Sequence, residues 1–215
     1  MRANRFQSTV CHAILSAELG AGRAAALLVE TGANTRPALL PSGPRDLAAL
    51  SAELQPFVDV YRALQHSVPQ VRALALIRDC VIESGKVSHS AAAAEPDTTP
   101  QDAAPLNLTS PPEPGFVLPA NELQGRFQSA MRFFSCEGEL DHYTPQSVRF
   151  FVTQCNWCEA MNRAGAPELI PIFCETDERF MDDHPTHKLV RPTAIGLGHS
   201  RCDFQFVPKP STPAS

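Results

Sequence analysis

Four short groups between Val152 and Phe204 carry side chains that could do chemistry together: Val152-Thr153-Gln154-Cys155, Cys174-Glu175-Thr176-Asp177, Arg191-Pro192-Thr193 and Gly198-His199-Ser200-Arg201-Cys202-Asp203-Phe204. Cys155 falls where a β-branched and aromatic run, Ser147 to Thr153, gives way to a helical pattern. A thiol at such a helix start lies near free backbone N–H groups and the positive end of the helix dipole. Both stabilise the thiolate, and the thiolate is the nucleophile. Cys174 and Asp177 are three positions apart, so on a helix they share a face and can act on one site.

The set resembles the L-2-amino-thiazoline-4-carboxylic acid hydrolase family, in a V-T-x-C entry (Val152, Thr153, Cys155), a C-x-x-D helix (Cys174, Asp177), an R-x-T strand (Arg191, Thr193) and a closing G-x-x-x-C-D-F (Gly198, Cys202, Asp203, Phe204). It covers about Val148 to Phe206. The resemblance implies a hydrolase that opens a small sulfur- and nitrogen-containing ring by attack on the amidine-like carbon between nitrogen and sulfur. Such a reaction needs a nucleophile, a proton donor for the leaving group and a holder for the substrate carboxylate. Cys155 or Cys174 would attack, with Cys174 favoured because a carboxylate stands one turn away. Asp177 or Asp203 would handle the proton or anchor an amidinium, with Cys202 beside them. Arg191 would pair a substrate carboxylate through its two-pronged guanidinium, with Thr193 and Thr153 as further substrate contacts. No cofactor and no metal are implied.

Other readings compete with these. Cys202 has a packing role beside Phe204, and Cys158 one beside Trp157, because unoxidised cysteine is among the most buried residue types. Asp177 stands among Glu175, Glu178, Asp182 and Asp183, the composition of a solvated helix face. Arg191 could form a surface ion pair. Cys155, Cys158, Cys174 and Cys202 supply the four thiolates of a structural zinc, but only the first two are close in sequence. A small-molecule-binding or zinc-stabilised partner module is therefore the alternative to an enzyme.

The elements that would position these groups divide at a proline-rich stretch. Seven of the 20 prolines lie between Pro96 and Pro119, so residues 88–119 read as a flexible Pro/Ala-rich linker. Ahead of it, residues 1–87 form a helical segment, with apolar residues at helical spacing over Phe6 to Thr31, Arg45 to His66 and Val71 to Ile82. After it, residues 120–208 read as an α+β, catalytic-type region. A helix capped by Asn121 runs to about Phe134, and Gly138, Asp141 and Pro145 make a turn before the strand Ser147 to Thr153. Helices follow from Cys155 to Arg163 and from Pro167 to about Met181. Strands Lys188 to Ile195 and Ser200 to Val207 then form a hairpin across two glycines, and Pro192 marks the first of them as an edge strand. The fold class is α+β: a helical N-terminal half, a linker, then a small antiparallel sheet with packed helices, together one composite domain with a disordered tail over 209–215.

With 18 Lys+Arg against 23 Asp+Glu and a net charge of −5, the chain lacks the basic footprint of a nucleic-acid binder. No apolar run is long enough for a membrane span. Val10 to Val29 is interrupted by Glu18 and Arg23, so it reads as an amphipathic helix of a cytoplasmic chain and not as an export signal. The seven cysteines are then expected as thiols. A small-molecule substrate is the expected partner, and the sequence leaves open whether copies of the chain associate.

Overall fold

The computed structural model describes residues 6–33, 47–94, 118–144, 146–182, 184 and 186–210, and the chain is α+β. Chain contacts divide it into two compact units: residues 1–96 with 156–176, and 97–155 with 177–215. The second half of the sequence thus contributes to both.

The helical unit contains α1 (Ser8–Leu19), α2 (Ala21–Glu30), α3 (Leu47–Gln65), α4 (Gln70–Ala94) and α6 (Asn156–Arg163). One helix expected over Phe6 to Thr31 is two, because Gly20 takes φ 81°, ψ 148°, a conformation in which glycine has no Cβ to clash. α4 continues to Ala94, past Ser88 where the sequence places the start of the linker. Residues 95–117 of that expected linker, and the expected tail from 211 on, lie outside the described residues. The core forms around Phe57, fully buried on α3, whose ring meets Phe6 and Phe173 edge-on at centroid distances of 5.1 and 5.4 Å. Arg78 pairs with Glu175 at the surface of the same unit.

The sheet unit holds α5 (Ala120–Phe133) and strands β1 (Cys136–Thr144), β2 (Ser147–Cys155), β3 (His187–Val190) and β4 (Cys202–Pro208), antiparallel in the order β1-β2-β4-β3. Helix α7 (Ile170–Asp182) begins in the helical unit and passes into this one at Asp177. Strand β2 alternates, with Val148, Phe150 and Val152 buried and the residues between them less so, the period of a half-buried strand. Their partners Phe206, Phe204 and Cys202 in β4 bury the same face. Phe150 and Phe204 stack at 5.0 Å, and Phe127 of α5 closes edge-on at 5.9 Å.

Three local expectations are corrected. Asn121 lies inside α5, whose N-cap is Pro119 with no side-chain cap. Gly138 and Asp141 do not make a turn but sit within β1, while Pro145 lies outside the described residues. Arg191-Pro192-Thr193 is not strand, because β3 ends at Val190: proline has no N–H for the ladder, and the chain turns toward a 3₁₀ turn at Ile195–Leu197. β3 is an edge strand, as Pro192 suggested.

Candidate active site

A sheet irregularity places the first sulfur. In the β1–β2 ladder Glu137 pairs with Gln154 and Gly138 with Val152, so Thr153 is an extra residue on β2, a β-bulge. One inserted residue reverses the alternation that follows it. Val152 is buried, Thr153 and Gln154 are exposed, and Cys155 turns back toward the face of Val152. Gly138 makes the bulge possible, since a Cβ there would stand 2.3 Å from the Phe151 carbonyl oxygen, a backbone atom with little freedom to move.

Two further sulfurs share that face. Cys202 opens β4 opposite Val152, is only 5% exposed and accepts a hydrogen bond from the Ile195 N–H at 3.2 Å. Cys136 opens β1 as the register partner of Cys155. It follows Ser135, a non-glycine residue at φ 56°, the left-handed conformation common just past a helix end. The contact with Cys155, then burial, holds the Cys136 thiol well above the ordinary cysteine range, and Asp177 and Cys202 act in the same direction. Burial raises Cys202, with the Ile195 N–H opposing and the Cys155 charge adding to the rise.

Asp177 enters this cluster from α7. Its carboxyl is pushed up to about 6, chiefly because burial disfavours its charged form; Arg191 works against the rise, and Cys155 and Glu178 add to it. Arg191, just past β3, reaches Asp177 at 3.3 Å and Glu178 at 3.0 Å, and its guanidinium lies 5.4 Å from the centre of the Phe204 ring. Cys155, Cys202, Asp177 and Arg191 are thereby brought together in one unit, with Cys136, whose spacing in sequence gave no hint of a role.

Cys174 is half-buried on the part of α7 that belongs to the helical unit. Asp203 alternates to the opposite face of the sheet from Cys202. There Arg149 binds it at 3.1 and 2.7 Å and Gln205 at 3.1 Å, and the Arg149 hydrogen bonds above all hold its carboxyl below the usual range. Thr153 is exposed at the bulge, 3.4 Å from the Glu137 carbonyl oxygen. The Thr193 hydroxyl is buried with no hydrogen-bond partner among the described residues, while its carbonyl accepts from the Asp203 N–H at 3.1 Å. Cys158 is buried in α6, the packing position its neighbour Trp157 suggested.

All seven cysteines are thiols. Among the described residues, no group of three or more His, Cys, Asp and Glu side chains is placed to hold a metal ion, and no helix is long and apolar enough to cross a membrane. The cluster combines a thiol at a strand end, a carboxyl raised to about 6 and a guanidinium paired with it, groups of the kinds that attack on an electrophilic carbon with proton return requires.

No curated protein and no solved structure matches the chain. The family model described as L-2-amino-thiazoline-4-carboxylic acid hydrolase matches residues 50–206 of the 215.

Proposed function

The chain belongs to the L-2-amino-thiazoline-4-carboxylic acid hydrolase family, and from that membership we propose that it hydrolyses a small cyclic amidine of the 2-amino-thiazoline-4-carboxylate type, with Cys155 as nucleophile and Asp177 as proton carrier. What supports the assignment is that Cys155, the last residue of β2, and Asp177 belong to the same compact unit, with the Asp177 carboxyl pushed up to about 6, chiefly by burial and with Cys155 adding to the rise. Sequence spacing gave a carboxylate partner to Cys174 only; the shared unit is what favours Cys155 here.

The step runs as follows. Ionised Asp177 accepts the Cys155 proton as the sulfur bonds to the ring carbon flanked by nitrogen and sulfur. The tetrahedral adduct collapses by breaking that carbon's bond to one ring heteroatom, which takes the proton back from Asp177. Water then attacks the same carbon, again giving its proton to Asp177, and the bond to Cys155 breaks with that proton returned to the sulfur. One water is consumed and the ring is opened. A carboxyl near 6 suits both directions of transfer at neutral pH. Arg191, occupied by Asp177 and Glu178, orients the carboxylate.

Turnover of 2-amino-thiazoline-4-carboxylate by Cys155→Ser and Cys174→Ser, each with its fold checked by circular dichroism, tests the assignment. Loss of turnover is expected in Cys155→Ser and its retention in Cys174→Ser, because a hydroxyl is a far weaker nucleophile than a thiolate at neutral pH. Full activity of folded Cys155→Ser would exclude sulfur attack from that residue.

A further inference from the structure

The reaction above gives Cys136 no step, yet it is the residue paired in register with Cys155. Cys136 and Cys155 are the first residue of β1 and the last of β2, paired in register. Directly opposed residues of an antiparallel ladder have Cα atoms about 4.5–5.5 Å apart, within the span that two cysteine side chains can bridge. The bulge at Thr153 turns Cys155 to the face of Val152 and Cys202.

On that face the Cys136 S–H has two acceptors. One is the Phe134 carbonyl oxygen, 3.4 Å away. The other is the Cys155 sulfur, the leading influence on Cys136. Cys202 of β4 and Asp177 of α7 also act on Cys136, and behind them Glu178 of α7 acts on Asp177 while Arg191, after β3, acts on both Asp177 and Cys202. Among these acidic neighbours a thiol that keeps its proton, as Cys136 does, can offer a hydrogen to a sulfur anion on Cys155 without adding charge.

We infer that Cys136 is a positioning residue for Cys155: its S–H swings from the Phe134 carbonyl to the Cys155 sulfur as that sulfur becomes anionic, and stabilises the attacking form. Its bearing on turnover rests on Cys155 being the nucleophile, whereas the contact between the two sulfurs does not.

The test is the pH dependence of iodoacetamide alkylation, read at the Cys155 peptide by mass spectrometry. A hydrogen bond to the charged form favours that form. Cys136→Ala is therefore expected to raise the Cys155 midpoint by about one pH unit, and Cys136→Ser, which keeps a donor, to leave it within a few tenths. An unchanged midpoint in folded Cys136→Ala overturns the inference.

The native protein supplies a second measurement that needs no substitution. With one equivalent of hydrogen peroxide the two thiols give up their hydrogens, the peroxide is reduced to two waters, and a Cys136–Cys155 disulfide is expected in the peptide map. Cys155 oxidised alone, or joined to a different cysteine, overturns the contact. Retained turnover in Cys155→Ser would remove the catalytic assignment while leaving both of these measurements to decide the role of Cys136.

Discussion

Arg191 is the more deeply buried partner of its ion pair with Asp177: 3% of its side chain is exposed, against 28% for the carboxylate, across 3.3 Å. Glu178 shares the same guanidinium at 3.0 Å. The positive charge is divided between two acids, so it offsets only part of the desolvation that raises Asp177 to about 6.

The activity profile should carry this value. If Asp177 must be ionised to accept the Cys155 proton, kcat/KM rises with pH through about 6 and levels above it. Asp177→Asn removes that limb and lowers turnover by roughly 10²–10⁴-fold, the usual range for a lost acid–base group. Arg191→Met takes away the influence that lowers Asp177 and moves the limb to higher pH. A limb near 6 that persists in Asp177→Asn would assign it to a different group.

Asp203 should behave in the opposite sense and affect stability rather than rate. Its carboxyl is held below the usual carboxylate range, first by the Arg149 hydrogen bonds. A depressed folded value contributes stability that is fully present above the unfolded value of about 3.9 and is lost as pH falls through the folded one. Asp203→Asn should destabilise the chain by ~1–2 kcal/mol at pH 7, tempered because Arg149 is 35% exposed. The gap from the native protein should close below about pH 4, as followed by urea denaturation at several pH values.

Gly138→Ala tests the bulge. The added methyl would stand 2.3 Å from the Phe151 carbonyl oxygen and 3.0 Å from the Met131 sulfur, an overpacking that costs about 1–3 kcal/mol or more. A fall in the thermal midpoint together with slower alkylation of Cys155 is expected, because the same bulge sets the direction of that sulfur. Unchanged alkylation in the folded variant would separate the two.

Phe150→Ala should be the costliest single change in the sheet unit. The ring is 1% exposed, stacked on Phe204 and met by Phe127, and removing a buried phenylalanine costs about 3–5 kcal/mol. Equilibrium unfolding in urea measures it directly.

Much of this architecture is legible in the residues. S-V-R-F-F-V-T could hardly be anything but a half-buried strand, and the helical spacing over Arg45 to His66 and Val71 to Ile82 predicts α3 and the first half of α4. β1 was not legible, because C-E-G-E-L-D-H-Y-T contains Gly138 and Asp141, which read as turn residues. The glycine is there for the close approach of Phe151, a tertiary reason that no local pattern carries. With β1 hidden, Cys136 had no partner and Cys155 no sheet neighbour. Local spacing also said nothing of where the units divide along the helix that carries Cys174 and Asp177. The two share a helix, and that helix passes from one unit to the other between them. Asp203 beside Cys202 is the converse: adjacent in sequence, they are sent to opposite faces by strand alternation.

The chain leaves the sheet unit immediately after Cys155 and re-enters it at Asp177. Residues 156–176 are thus an excursion whose body is lodged in the helical unit while its two ends carry the sulfur and the carboxylate. An ordinary two-domain chain is tethered by one linker; this one is laced by three crossings, two of them beginning or ending on a residue of the proposed reaction. Closing such a loop has an entropic cost that is met only once both ends are held. Order in residues 156–176 thereby bears on Cys155 and Asp177 together, because each is joined to that segment by a single peptide bond.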